Sequence, residues 1–334
     1  MPEAALNSYD SSYHSPVMWR EVVEIFSAAA GVVIDGTIGG GGHSQALLVS
    51  SADIRILGTD RDDEALEFSR ERLSGFGDRI HFAKASFAEL GEVIRDAQVI
   101  DWIATDRLVG ALFDLGVSSH QLDDSRRGFS FRNAGPLDMR MDATSGTDLG
   151  GYLAGVDERE LARSIAENGE RHFARLLARK ILAATRSGAV ADTAALREIV
   201  VSALPKAYLA KRTDPATKVF QALRIAVNDE LSQLDEVIAG LGEIFGVGAR
   251  ICFISYHSGE DQRVKRGFAR LVEGGCTCPP ALACVCGAQV TARSLGRLMR
   301  PKPDEIQANP RSRSARLRAI EFIEPVTVAS LRGR

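Results

Sequence analysis

Apolar and polar positions alternate along the chain in two distinct ways. Val32-Val33-Ile34 is a β-branched run that ends at Asp35. Short, nearly continuous apolar runs of this kind predict strands buried on both faces. Ile54–Asp60, Arg79–Ala85, Leu108–Asp114 and Ala249–His257 repeat the pattern, and Ser294–Met299 and Leu317–Ile323 are predicted to close the sheet. The segments between have helical spacing: Gln45-Ala46-Leu47-Leu48 opens a helix to about Ser50, and Arg61–Leu73 reads as another. Ser15 as N-cap and Pro16 at the first helical position predict an earlier helix with Val22, Val23, Ile25 and Phe26 on its apolar face. Strands alternating with helices predict an α/β fold with a doubly wound parallel sheet.

The alternation stops after the fourth strand. From Ser125 to about Asn228 the chain holds a loop rich in Gly, Arg and Asp (Arg126–Asp142) and then amphipathic helices. These are expected over Glu158–Asn168, Glu170–Thr185, Asp192–Leu204 and Pro215–Ile238, with Asp192 and Thr193 capping the third and Pro205 ending it. The expected domains are therefore a first sheet part over residues 13–124, an inserted all-helical subdomain over 125–228, and a second sheet part over 229–324. Residues 1–12 and 325–334 are expected to be flexible.

Four successive strand ends carry the candidate chemistry: Asp35, Asp60, the pair Ser86-Phe87, and Asp114. The first is followed by Gly36-Thr37-Ile38-Gly39-Gly40-Gly41-Gly42-His43-Ser44, a glycine turn that lets a ligand approach the backbone. A pyrophosphate at that turn would lie beside the Asp35 carboxylate, and the final position of a G-x-G-x-x-G pattern falls on Ser44. S-adenosylmethionine, with a sulfonium, an ammonium and no phosphate, suits an acidic strand end better. Asp60 has the spacing that holds ribose hydroxyls in both dinucleotide and S-adenosylmethionine folds, so an NAD-dependent oxidoreductase stays open as the alternative. Phe87 is a candidate for stacking on the adenine and equally for core packing.

Composition narrows the setting. With 334 residues, 45% of them hydrophobic, the chain can bury a large core; its net charge of −3 does not mark a nucleic-acid binder and does not exclude one. No apolar run reaches membrane-span length, and Met1–Asp10 lacks a signal-peptide pattern, so a cytoplasmic protein without a membrane partner is expected. Basic residues are clustered. Arg171, Arg175, Arg179 and Lys180 have helical spacing with acids nearby, as solvated helix faces do. Lys206, Lys211, Arg212, Lys218 and Arg224, and the tail residues Arg311, Arg313, Arg316 and Arg318, have fewer acids around them and suit phosphate contacts. Cys276-Thr277-Cys278 and Cys284-Val285-Cys286 form paired C-x-C motifs, which are either a zinc site or thiols in a surface insertion.

Longer strings are more specific. Asp35–Ser44, Asp114-Leu115-Gly116-Val117-Ser118-Ser119, Arg127-Gly128-Phe129-Ser130-Phe131, Gly135-Pro136-Leu137-Asp138-Met139-Arg140-Met141-Asp142 and Ile254-Ser255-Tyr256-His257-Ser258 resemble the bacterial ribosomal RNA small subunit methyltransferase H family. The resemblance spans roughly His14–Arg318. It implies a class I S-adenosylmethionine methyltransferase fold and methylation of the N4 amine of a cytidine in the decoding centre of 16S rRNA. Ribosomal RNA or the small ribosomal subunit is the implied partner, and a homodimer stays open. The implied cofactor contacts are Gly41, Gly42, His43, Asp60, Phe87, Asp114 and Gln121, to which the strand-end layout adds Asp35 and Gly39. The family often has proline at the place of His120 and an aromatic at that of Ile38; neither change removes a polar contact.

The amine nitrogen of cytosine is a poor nucleophile, because its lone pair is delocalised into the ring. A group that accepts its hydrogens lets it pyramidalise. Many amine methyltransferases carry an (Asp/Asn/Ser)-Pro-Pro-aromatic loop after the fourth strand, but here the string is Asp114-Leu115-Gly116-Val117-Ser118-Ser119. Asp114, Ser118, Asp138 and His257 are the candidate acceptors. Ser118 can equally serve as a turn residue bonding its own backbone, and His257 as a satisfied structural histidine. A ribosome-assembly factor that holds the cofactor without catalysis is the third reading.

Overall fold

The computed structural model describes the chain except for residues 1–15, 105, 206–207, 209–213, 277, 280–284, 287 and 326–334. Nearly all of the terminal residues expected to be flexible, with Ser15, Lys206, Lys211, Arg212 and Cys284, thus lie outside the described residues.

Two compact units emerge. One comprises the chain up to Gly116 and from Leu231 onward; the other is Val117–Glu230. In the first, strands β1 (Gly31–Asp35), β2 (Ile54–Asp60), β3 (Ile80–Lys84), β4 (Leu108–Asp114), β5 (Arg250–Ser255), β6 (Ala292–Ser294) and β7 (Arg316–Phe322) form one sheet in the order β3-β2-β1-β4-β5-β7-β6. Strands β1 to β5 pair in parallel, while β7 is antiparallel to both β5 and β6.

The apolar runs explain the two covered faces. Val32, Ile34, Ala111, Phe113, Ile251 and Phe253 point into one core with Leu234, Val237, Leu241, Val264 and Phe268. Their neighbours Val33, Leu112, Cys252 and Ile254 point into the opposite core with Val22, Phe26, Leu47 and Leu66. Successive strand residues face opposite ways, so a strand that is apolar throughout needs helices on both sides. Strand order reverses between β1 and β4, which opens a crevice at their carboxyl ends. The positioned residues of that crevice come from β1, β2, β4 and β5.

Three expected elements differ. The first helix is Trp19–Ile25 and not a helix beginning at Pro16, because Met18 before it adopts a left-handed conformation (φ 56°). The sixth strand is Ala292–Ser294 where Ser294–Met299 was expected; Gly296 turns at φ 78°, and Met299 makes only an isolated bridge to Leu317. The expected long helix is two, Ala216–Asn228 and Glu230–Ile244, broken at Asp229 (φ 48°). A further helix, Leu149–Gly155, is capped by Asp148, which accepts from the Gly151 N–H at 2.7 Å.

The second unit has its own core. Leu161, Ile165, Leu177, Ile181, Leu196, Val200, Val219 and Leu223, from helices Glu158–Asn168, Ala174–Arg186, Thr193–Ser202 and Ala216–Asn228, are buried together. The Gly-, Arg- and Asp-rich loop is tied to this core by Asn228. Its amide donates to the Met139 carbonyl (2.7 Å) and accepts from the Met141 N–H (2.7 Å).

Candidate active site

The turn after β1 is built for close backbone approach. A Cβ on Gly36 would lie 2.4 Å from the Phe113 ring, so only glycine lets the strand end pass over that ring. Gly41 caps helix Gly42–Ser50 at φ 72°, a conformation that costs an L residue strain. Ile38 donates its N–H to the Thr59 carbonyl, and the Gly39 N–H donates to Asp60 Oδ2 at 3.0 Å, so the turn is joined to the end of β2. Asp60 also accepts from the Asp62 N–H at 3.0 Å. Desolvation raises its pKa to about 6, against the opposing effects of the hydrogen bonds from the Asp62 and Gly39 N–H groups.

Asp35 is buried. Ser44 donates its hydroxyl to Asp35 Oδ2 at 2.6 Å. Burial nevertheless pushes its carboxyl up to about 6, against the opposing effects of the Ser44 hydrogen bond and nearby His43. His43, also buried, hydrogen-bonds through Nε2 to the Val17 carbonyl at 2.8 Å and points Nδ1 at Asp114 Oδ2, 3.8 Å away. Because Nε2 faces a carbonyl, it carries a proton.

Asp114 ends β4 and is held from two directions. Its N–H donates to Thr37 Oγ1 at 2.6 Å, and the Tyr256 hydroxyl donates to its Oδ1 at 2.8 Å. Burial and the neighbouring Asp114 charge push the Tyr256 phenol well above its usual value, so it remains a donor at neutral pH. Tyr256 in turn is placed by Glu260, which accepts its N–H at 2.7 Å. Neither Thr37 nor Tyr256 was singled out in the sequence as a site residue.

The other expected residues have different surroundings. Phe87 packs edge-on to Phe113 (centroids 6.2 Å apart, 77° between planes) within the core, the second of its two expected roles. His257 caps helix Ser258–Val272, with Nδ1 accepting from the Gly259 and Glu260 N–H groups at 3.1 and 3.4 Å. Its Nε2 lies 3.0 Å from Glu260 Oε1, but the alignment falls short of a hydrogen bond.

Within the helical unit, Ser118 and Gln121 form a capping box on helix Ser119–Asp123: Ser118 Oγ accepts the Gln121 N–H (3.1 Å), and Gln121 Oε1 accepts the Ser118 N–H (3.0 Å). Asp138 receives Arg140 at both oxygens, 2.8 and 2.9 Å. Burial opposes its charge, but the Arg140 hydrogen bonds prevail and hold its carboxyl below the usual range.

Arg224 was expected to contact RNA. Instead its guanidinium pairs at 2.7 and 2.8 Å with both oxygens of Glu230, and both side chains are largely buried. Arg316 and Arg318 are likewise committed to Asp261, each at 2.7 Å. Lys218 is exposed. An open groove of about 1090 Å³ in this unit is lined by Arg159, Arg163, Arg171 and Arg175 but also by Asp157, Glu158 and Glu160, so the acids offset most of its positive charge.

Acids at the ends of β1, β2 and β4 around a glycine turn fit a cationic, phosphate-free ligand. The match to known proteins agrees. Residues 11–323 match the model of the MraW methylase family. The chain belongs to that family. It is 45% identical over 311 residues to "Ribosomal RNA small subunit methyltransferase H" of Anaeromyxobacter sp. (strain K), covering 92% of this chain and 97% of the relative. A protein of the same name from Geobacter sp. (strain M21) is 43% identical over 319 residues, with 93% and 99% covered. This places the sheet among class I S-adenosylmethionine methyltransferases, and S-adenosylmethionine is the cofactor that the family uses. The donor set fits it: a cationic ligand relieves the cost of ionising Asp35. No helix among the described residues is long and apolar enough to cross a membrane.

Proposed function

We propose that the protein transfers a methyl group from S-adenosylmethionine to the N4 amine of a cytidine in 16S rRNA. The observation that carries this reading is Asp114 at the end of β4, with its N–H on Thr37 and its carboxylate held by Tyr256. S-Adenosylmethionine, when bound, supplies an electrophilic methyl group. Asp35 provides negative charge at the strand end, Gly39, Gly41 and Gly42 leave room for close approach, and Asp60 accepts ribose hydroxyls.

Asp114 acts on the nucleophile. Tyr256 donates to Oδ1, and Oδ2, which faces His43, is the oxygen we assign to accept a hydrogen of the amine. That hydrogen bond draws the nitrogen out of conjugation and makes its lone pair available. Once nitrogen has gained a methyl group it must lose a proton, and Oδ2 takes it. His43 Nδ1 stands 3.8 Å from the same oxygen. Ser118 and His257 have their side chains engaged in helix caps, and Asp138 is held by Arg140, so Asp114 takes precedence among the candidates.

We assign RNA recognition to the helical insertion, through Lys211, Arg212 and Lys218, with Arg224 left to its structural pair. The name shared by the relatives points to the small ribosomal subunit as the setting of the substrate. Incubation with labelled S-adenosylmethionine and either free 16S rRNA or assembled small subunits tests the proposal. Label is expected in the RNA of at least one of them. Cofactor binding without transfer to either would favour the non-catalytic assembly factor.

A further inference from the structure

The paired cysteines are not used by the methyltransferase site. Cys276, Cys278 and Cys286 bring their sulfur atoms within 4.8 Å of one another, and Cys276 and Cys286 are 3.7 Å apart. We infer that these three thiols bind a zinc ion that staples the loop between helix Ser258–Val272 and β6.

The distances discriminate between two cysteine chemistries. A disulfide needs sulfurs at about 2.05 Å. Zinc–thiolate bonds of about 2.3 Å in a tetrahedron set sulfur–sulfur edges of about 3.8 Å. The observed 3.7 Å is that of a thiol–thiol hydrogen bond, far too long for a disulfide and close to the edge of a tetrahedral metal site, so a metal could replace the shared proton with little movement of the sulfurs. In addition, the Val285 N–H points at Cys278 Sγ at 3.4 Å, and such a donor stabilises the negative charge of a metal-bound thiolate. A tetrahedral site takes a fourth donor, which solvent can supply beside the exposed Cys276 and Cys286.

Packing does not account for the gathering of the thiols. Cys276 and Cys286 are exposed, and Val285 beside them is 89% exposed, so among the described residues no apolar cluster covers this part of the loop. The base of the loop is pinned. Thr291 donates its N–H to the Leu271 carbonyl at 2.9 Å, and a Cβ on Gly274 would lie 2.9 Å from the Gln289 backbone. A connection of this length within a compact unit commonly has a role of its own. Each thiol would release its proton to solvent as the metal binds.

Topology makes this a structural site. Helix Ser258–Val272 runs back from the carboxyl end of β5, and β6 is parallel to β5, since both are antiparallel to β7. The loop joining them therefore lies at the amino-end edge of the sheet, opposite the glycine turn and Asp114. Its metal should be removable without loss of S-adenosylmethionine binding.

Metal analysis of the full chain, prepared with a reductant and ample zinc, is expected to find about one zinc per chain, falling at least ~tenfold in C276S/C286S. Cobalt added to the metal-free wild-type protein should give thiolate-to-cobalt charge-transfer absorption and the strong visible bands of a tetrahedral ion. The double variant should not give them. Calorimetry with S-adenosylmethionine checks that the variant is folded, and the cobalt spectrum of the wild type stands even if it is not. Absence of zinc together with absence of the cobalt spectrum would overturn the inference. So would zinc retained in a folded double variant, or a Cys276–Cys286 disulfide found by mass spectrometry of the unreduced protein.

Discussion

Tyr256→Phe isolates the positioning of Asp114 from its presence. The substitution removes one oxygen and leaves the ring in place, so the change falls on the 2.8 Å hydrogen bond to Asp114 Oδ1. A hydrogen bond to a charged group contributes about 1.5–3 kcal/mol. If that contribution is expressed in the transition state, through an Asp114 carboxylate that no longer holds its orientation, kcat falls about 10- to 150-fold. The Thr37 contact persists, because it engages the Asp114 N–H and not the carboxylate. The assay is the initial rate of methyl transfer to rRNA with both substrates saturating, together with KM for S-adenosylmethionine and the thermal midpoint of the variant. The expected result is a fall in kcat with a nearly constant cofactor KM, the sign of an interaction made in the transition state. Full kcat in a folded variant would refute the positioning role. A rise in cofactor KM with kcat unchanged would move Tyr256 to cofactor binding.

Asp60→Ala should weaken S-adenosylmethionine binding by about 2–4 kcal/mol, since up to two charge-assisted hydrogen bonds to ribose are lost with partial compensation by water; unchanged affinity by calorimetry on a folded variant would remove Asp60 from the site. Asp35 has a folded-state pKa raised from 3.8 to about 6, so between these values the folded state binds the proton more tightly and the cofactor-free protein loses stability as pH rises. A cationic cofactor favours the ionised form, so its affinity should rise with pH through about 6, and this part of the dependence should vanish in Asp35→Asn; an identical pH profile in that variant would contradict the assignment. Charge reversal at Lys211, Arg212 and Lys218 should weaken rRNA binding and flatten its salt dependence while cofactor affinity is kept, as filter binding over a salt series would show; an unaltered slope would point to another surface. Arg224→Ala should instead lower stability by about 3 kcal/mol, because it leaves Glu230 buried without its partner, and should leave the salt slope unchanged. A stable variant with a reduced slope would return Arg224 to the RNA surface.

The sheet was legible where burial on both faces makes strands apolar throughout. Each of β1, β2, β4 and β5 appears in the sequence as such a run, and β1, β2 and β4 end in the acids Asp35, Asp60 and Asp114. β6 was misplaced because its pairing with β7 depends on a turn at Gly296 that the apolar pattern does not reveal. The break at Asp229 was hidden for a related reason. Apolar spacing continues through Ala216–Ile244, whereas the neighbouring Asn228 is held by backbone atoms of Met139 and Met141, far away in sequence. The helix Leu149–Gly155 was missed because Gly150 and Gly151 are poor helix formers and its buried Leu149 and Leu153 are its main apolar signal. Asp35, Asp60 and Asp114 could be found from strand ends alone. Tyr256 could not, because its contact with Asp114 spans 142 positions and exists only once β4 and β5 pair. Arg224 shows the converse: its charge was visible in the sequence, but its partner Glu230 lies across a helix break that periodicity does not register.

The most direct test of the central claim is the identity of the methylated nucleoside. Small-subunit rRNA lacking the modification would be incubated with the protein and methyl-labelled S-adenosylmethionine, digested to nucleosides and analysed by mass spectrometry against standards. The account predicts label in N4-methylcytidine, with the yield strongly reduced in Asp114→Ala even at saturating cofactor. Label on a ribose 2′-oxygen or on carbon-5 of cytosine would contradict it, since neither acceptor is an amine whose hydrogens Asp114 could receive.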